Sequence, residues 1–158
     1  AGCETVIAVD LADDKLAVAK QLGAAHILNP KRDEVIDAVK DLTNGRGADV
    51  AVEVVGATPT LRTAIESTRR GGSVTLVGNL APTVDFAMQA VVTRELTLYG
   101  SCASNNEFPD ALTLMQEGKI QVEPLITAKA KLDECQSWFD RLYAAEEGLM
   151  KVIVEPSR

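Results

Sequence analysis

Thr5-Val6-Ile7-Ala8-Val9-Asp10 is a short, nearly continuous apolar run, rich in β-branched side chains, that stops at an acid. A run of this length without alternation suits a strand covered on both faces, as in a parallel sheet. Asp13 and Asp14 follow where a helix begins, placed to interact with its positive end. Leu16, Ala19 and Leu22 keep one face apolar, and Gly23 is a natural stop.

The same alternation continues outward. Ala25 to Leu28 reads as a second strand, punctuated by Asn29-Pro30. Val35, Ile36, Val39 and Leu42 recur at helical spacing, and Asn44-Gly45-Arg46-Gly47 breaks that helix. Val50 to Val55 is a third strand ending at Gly56. Thr58-Pro59 reads as a cap with proline at the first helical position, and Leu61, Ala64, Ile65 and Thr68 form the inward stripe. Gly71-Gly72 ends that helix, and Ser73 to Val77 is a fourth strand ending at Gly78. After a looser stretch, Leu96 to Tyr99 is a fifth strand ending at Gly100. Phe108, Ala111, Leu112 and Met115 predict a helix stopped by Gly118. Asp133 with Gln136 forms a capping-box pattern for a helix through Cys135, Phe139 and Leu142, and Lys151 to Val154 is a final strand.

Strands and helices at this spacing predict an α/β fold, a doubly wound parallel Rossmann-type sheet with helices on both faces. The strand order of that fold is 3-2-1-4-5-6. With Thr5–Asp10 as its second strand and Ala25–Leu28 as its third, the first strand, the glycine-rich turn and the first helix are lacking. A GxGxxG turn belongs about 20 residues before the acid, and only nine residues precede Asp10. Ala1-Gly2-Cys3 reads as the frayed end of the helix after such a turn. A first residue that is Ala rather than Met suggests an N-terminal portion removed or never included. The absent strand would be central, between Thr5–Asp10 and Val50–Val55, leaving a slot or direct pairing across it. The expected organisation is an incomplete dinucleotide-binding domain over residues 1–130, then a helix and strand over 131–158.

Composition narrows the function classes. Of 158 residues, 46% are hydrophobic and 25% charged, as in an ordinary globular domain. A net charge of -7 argues against a nucleic-acid partner, which needs clustered Lys and Arg. No apolar run has the length of a membrane span, and no basic start precedes an apolar stretch as in a signal peptide. Cys3, Cys102 and Cys135 are odd in number and form no CxxC pair, which suggests a reducing, cytoplasmic setting and buried or idle thiols. With one histidine, His26, a zinc site built from this chain alone is not expected.

Three expected strands end at Asp10, Gly56 and Gly78. In an open parallel sheet, ligands bind beyond the carboxyl ends of the strands, and glycine there lets a ligand approach the backbone. An acid at the tip of the second strand of a dinucleotide fold can accept both ribose hydroxyls of the adenosine and repel a 2′-phosphate. Leu11 and Ala12 follow Asp10, so no neighbouring arginine neutralises it, and NAD is favoured over NADP. Lys15, one helical turn further, reaches the same ribose. The plainer reading is that Asp10 merely opens the next helix.

These residues resemble the medium-chain, zinc-type alcohol dehydrogenase family. The likeness lies in Val9-Asp10 through Lys15, Ala19-Lys20, Leu22-Gly23-Ala24 and Asn29-Pro30. It continues in Gly47-Ala48-Asp49-Val50, Glu53-Val54-Val55-Gly56, Arg70-Gly71-Gly72 and Leu76-Val77-Gly78. Leu98-Tyr99-Gly100-Ser101, Pro124-Leu125-Ile126-Thr127 and Leu149-Met150-Lys151-Val152 are similar to its polyol (sorbitol) and threonine dehydrogenase branch. In that branch His-Arg often follows Pro-Leu-Ile-Thr, where this chain has Ala128-Lys129.

The resemblance implies roles. Asp10 and Lys15 would hold the adenosine ribose of NAD, and Val54, Val55 and Gly56 would line the adenine side. Val77, Gly78 and Asn79 would lie along the nicotinamide ribose. Backbone at Ser101 and Ala103 would meet the carboxamide, and Lys151 would approach the pyrophosphate. The bland alternatives are core valines at 54, 55 and 77 and a solvated lysine at 151. The family binds catalytic zinc through an N-terminal domain, so zinc would belong to the intact parent and not to this chain. The implied activity is hydride transfer between NAD and a small secondary alcohol, a polyol or hydroxy amino acid, in a homo-oligomer joined through the strand at 96–100. Rival readings are a zinc-free quinone or enoyl reductase of the same superfamily and a non-catalytic nucleotide-binding module. A methyltransferase also ends its second strand in an acid, but the valine-glycine strand ends after Val50 and Ser73 fit a dehydrogenase better.

Overall fold

In the computed structural model, which describes residues 2–156, every strand pairing is parallel. β1 (Ile7–Val9) leads through α1 (Asp13–Gln21) to β2 (His26–Leu28). α2 (Val35–Leu42), β3 (Ala48–Glu53), α3 (Thr58–Ser67) and β4 (Thr68–Leu76) follow, then α4 (Met88–Thr93) and β5 (Thr97–Gly100). The last third holds α5 (Phe108–Gln116), β6 (Ile126–Lys131), α6 (Cys135–Tyr143) and β7 (Lys151–Glu155). Ala1, the first residue of the stretch read as a frayed helix end, lies outside the described residues.

The strands pair in the orders β1-β2, β3-β4-β5 and β6-β7. The first two sets are the neighbours that a 3-2-1-4-5-6 order keeps when its first strand is taken away. Among the described residues, β1 and β3 belong to different sheets and each has a partner on one side only. No other described segment supplies a strand beside them.

The chain divides into two compact units, residues 30–104 and residues 1–29 with 105–158. In the first, Leu61 and Ile65 of α3 pack on Val74 of β4, with Ala51, Leu76 and Leu98 around them. Leu61 and Ile65 are one helical turn apart, so both reach the same sheet face. The helix starts one residue earlier than its sequence signal. Ala57 occupies the cap position, and Thr58 Oγ1 instead accepts the Asp85 N–H at 3.0 Å. It also stops earlier, at Ser67 rather than at Gly71-Gly72. Arg94 supplies the reason: its guanidinium donates to the carbonyls of Ile65 and Thr68, satisfying acceptors that a helix end leaves open. Thr68 then turns extended and β4 begins there, running through both glycines.

In the second unit Leu16 of α1 is buried, but β1 is not enclosed as its unbroken apolar run suggested. Val9 is exposed, in keeping with a strand that lacks a neighbour on one side. β6 and β7 form a parallel pair around α6, and β6 escaped the sequence reading. The expected capping box at Asp133 and Gln136 is absent. Lys131 N–H donates to Glu134 Oε2 at 2.8 Å, and Gln136 binds Asp140 instead.

Candidate functional site

In the unit of residues 30–104, the ends of β3 and β4 form one interlocked structure. Glu53, the last residue of β3, is only 5% exposed. Its carboxylate accepts the Val55 N–H at 2.9 Å, the Gly56 N–H at 2.9 and 3.0 Å, and the Thr60 hydroxyl at 2.7 Å. Its carbonyl accepts the N–H groups of Val77 and Gly78 at 2.8 and 3.0 Å. One residue thus organises segments 54–56 and 77–79 and the start of α3. Burial opposes its ionisation, yet the bonds from Thr60, Gly56 and Val55 outweigh burial and hold the carboxyl below the ordinary glutamate range. The two segments also bond directly, Leu80 N–H to Val55 O at 3.1 Å and Ala81 N–H to Gly56 O at 3.0 Å.

This changes the reason for the glycines. They were read as leaving room for a ligand. A Cβ on Gly56 would lie 2.5 Å from Asn79 N and 2.6 Å from Leu80 N, and one on Gly78 would fall on the backbone of Gly56 and Val55. The space is taken by the opposite segment of the chain. The reading of Val54, Val55 and Val77 as core side chains is also overturned: they are 66%, 43% and 44% exposed. Asn79 is exposed beside them. At the end of β5, Ser101 N–H donates to Leu76 O at 2.9 Å. Ala103 sits in the left-handed region at φ 54°, a conformation that non-glycine residues adopt at a cost.

The unit of residues 1–29 and 105–158 carries Asp10, Lys15 and Lys151. Asp10 is half-buried past the end of β1, and one carboxylate oxygen accepts the Ala12 N–H at 2.9 Å. Its second oxygen has no partner among the described residues, so an acceptor remains beside a backbone turn. That acceptor suits a hydroxyl donor such as those of a ribose diol. Lys15 is exposed one turn along α1. Asp14 accepts the Gly148 N–H at 2.9 Å, and this bond first, then the Lys15 N–H, lowers its carboxyl below the ordinary aspartate range. The contact ties the turn before β7 to α1. Lys151 opens β7 with its side chain exposed, and its carbonyl accepts the Thr127 hydroxyl at 3.0 Å.

The sequence reading missed Glu53 and Asn29 as organisers. A charged residue inside the apolar run of β3 was the available signal, because a buried polar side chain is the informative exception. Among the described residues no three His, Cys, Asp or Glu side chains cluster as metal ligands. The cysteines are free, with Cys3 and Cys102 exposed rather than buried. No helix of the described residues is long and apolar enough to cross a membrane.

Comparison with known proteins gives this arrangement a family. Residues 1–117 match the model of the family described as zinc-binding dehydrogenase. Sorbitol dehydrogenase of Bacillus subtilis is 30% identical over 158 residues, covering 99% of this chain and 45% of that protein. The crystal structure of 2R,3R-butanediol dehydrogenase from Bacillus subtilis superimposes with a TM-score of 0.89 at 32% identity, covering 99% of this chain and 45% of that one. A zinc-binding dehydrogenase from Sinorhizobium meliloti 1021, solved bound to NADP, gives a TM-score of 0.87 at 28% identity, covering 99% and 46%. The chain spans about half the length of the curated relatives it matches. The α/β, Rossmann-type reading and the polyol-dehydrogenase likeness of the sequence are both found in these matches. The chain belongs to the zinc-binding dehydrogenase family.

Proposed function

We propose that this chain is the cofactor-holding portion of a longer enzyme that moves a hydride between NAD and a small secondary alcohol, a polyol or hydroxy amino acid. The observation that carries the reading is Asp10. Its half-buried carboxylate has one oxygen held by Ala12 and the other left as an acceptor. A charge so held favours the vicinal hydroxyls of an NAD ribose and repels the 2′-phosphate of NADP. Lys15 would share that ribose. Val54, Val55 and Gly56 would flank the adenine, and Val77, Gly78 and Asn79 the nicotinamide ribose. Ser101 and Ala103 would meet the carboxamide through their backbone, and Lys151 would approach the pyrophosphate. When bound, the nicotinamide supplies the hydride acceptor, and this chain's residues bind and orient it.

Residues 1–130 are proposed as the cofactor domain and 131–158 as the return to a catalytic domain that holds the zinc. The free side of β5 is proposed as the seam of a homo-oligomer, because an open strand edge invites pairing. A cytoplasmic setting suits the free cysteines. The NADP-bound relative keeps the phosphorylated cofactor as the second reading.

Calorimetric titration of the longer enzyme with NAD and NADP, beside assays on sorbitol, butanediol and threonine, tests both parts. NAD is expected to bind more tightly, with turnover of at least one of these alcohols. Tighter NADP binding would overturn the cofactor assignment, and no turnover of any secondary alcohol would overturn the activity.

A further inference from the structure

We infer that Asn29 is a positioning residue for cofactor choice: it fixes the loop that aims Asp10, and so sets the preference for a ribose with a free 2′-hydroxyl. The inference rests on the reading of Asp10 as the ribose acceptor.

The geometry begins with the β1–β2 register. Val9 pairs with Leu28, and Asp10 N–H donates to Leu28 O at 3.3 Å. Asn29 is therefore the residue just past the end of β2, beside the point where the chain leaves β1. Its side chain is 2% exposed. The amide Nδ2 donates to Leu11 O at 3.3 Å and to Asp13 Oδ1 at 2.8 Å. Those acceptors lie on either side of Ala12, the residue whose N–H holds Asp10 Oδ1. The loop from Asp10 to Asp13 is thus gripped at two points by one buried amide. Within that grip Ala12 N–H orients the carboxylate and leaves its second oxygen free.

A buried amide satisfying two loop acceptors is costly to lose, since both acceptors would then face an apolar group. The loop would relax toward solvent, where its carbonyl and carboxylate find water. Ala12 N–H would move with it, and Asp10 would no longer be held toward the ribose. An acid free to turn away recognises a diol poorly and repels a 2′-phosphate weakly. Loss of the Asn29 amide should therefore weaken NAD binding and narrow the gap to NADP. General loosening of the unit would weaken both cofactors together. The ratio of the two affinities separates the explanations.

The test measures dissociation constants for NAD and NADP by calorimetry in the longer enzyme, for N29L, N29S, D10A and L16A. Leu keeps the branched shape of Asn without its donors, though it is bulkier, and Ser is the smaller variant should N29L not fold. The Leu16 side chain is buried in the same unit and is wholly apolar, and its backbone bond to Ala12 O survives truncation, so L16A reports loosening alone. The expected result is a fall of about five- to tenfold in the preference for NAD in N29L or N29S, the size of one or two lost hydrogen bonds. D10A should lower the ratio at least as far, and L16A should leave it unchanged. A ratio that moves in D10A but not in either Asn29 variant overturns this inference and leaves the Asp10 reading standing. Equal changes in L16A and the Asn29 variants overturn it as well. An unchanged ratio in D10A removes the Asp10 reading and this inference with it.

Discussion

Gly56 and Gly78 lie backbone against backbone at the ends of β3 and β4, so that a side chain on either would occupy the other's main chain. The contact closes a small network in which Glu53 binds both segments, through its carboxylate on one and its carbonyl on the other. Two short loops are thereby made into one rigid surface, from which Val54, Val55 and Val77 project into the open.

The first prediction concerns that contact. Gly78→Ala must push the 54–56 segment away from β4, and Gly56→Ala adds the strain of a side chain at φ 80°. Overpacking and left-handed strain together suggest a loss of about 2–4 kcal/mol for each substitution. Denaturant unfolding of the longer enzyme measures it. A loss under about 1 kcal/mol would mean the loops slide apart easily and do not form one surface.

Glu53 sets the second prediction. Its folded-state carboxyl titrates below the ordinary value of 4.5. A group lowered by folding stabilises the fold fully above its unfolded value and loses that contribution as pH falls through the folded value. Stability should therefore fall below about pH 4.5 with a component that Glu53→Ala abolishes. At neutral pH the same substitution strands the N–H groups of Val55 and Gly56 and the Thr60 hydroxyl, a loss of about 2–3 kcal/mol. Unfolding curves at pH 7 and pH 3.5 (about one unit below the ordinary value) for both proteins decide it. Parallel pH dependence in the two would rule out Glu53 as the titrating group.

A third prediction follows from the free oxygen of Asp10. Asp10→Ala in the longer enzyme should weaken NAD by roughly 1.5–3 kcal/mol, the range for a hydrogen bond to a charged group. Affinity for NADP should hold steady or rise, because the negative charge facing a 2′-phosphate is gone. Binding isotherms for both cofactors check this. Unchanged isotherms for both would take Asp10 out of the site.

The sequence declared the alternation of strands and helices because burial imprints a period on each segment. Val35 and Val39, or Leu61 and Ile65, could be assigned an inward face from spacing alone, and the structure buries all four. β6 was missed although Ile126, Ala128 and Ala130 alternate inward between Thr127, Lys129 and Lys131. Two of its three inward residues are alanines, which are poor strand formers, so the period carried little weight. The start of β4 was misplaced because glycine pairs usually end helices. Here Arg94, 26 residues beyond Thr68, ends the helix first. Contacts of that range leave no local trace. Asp10 was legible as a candidate because it stands at a strand end. Asn29 was read as punctuation because the Asn-Pro pair has a sufficient local explanation, and only its burial against Leu11 and Asp13 shows more.

The last prediction concerns the strands with one neighbour. In a parallel sheet, alternate residues of a strand turn their N–H and C=O groups toward one neighbour and then the other. β3 pairs with β4 alone and β1 with β2 alone, so about half of the backbone groups in each face no strand. Val50 and Val52 of β3 are also more than half exposed. A further strand paired with the free side of β3 would bury large apolar side chains, and four or five of them amount to on the order of 10 kcal/mol at roughly 1.5–3 kcal/mol each. That equals the whole stability of a typical domain, about 5–15 kcal/mol. The isolated 158-residue chain is therefore expected to be marginally stable. It should melt broadly at low temperature. Deuterium exchange should protect the amides of β4, which is paired on both sides. In β3 the amides turned away from β4 should exchange at rates close to those of an unfolded chain. The same amides should become protected in a longer enzyme that gives β3 a second neighbour. A cooperative melt of the isolated monomer above about 60 °C, in the range of ordinary stable domains, with uniform protection along β3, would show that this half of the sheet needs nothing further to fold.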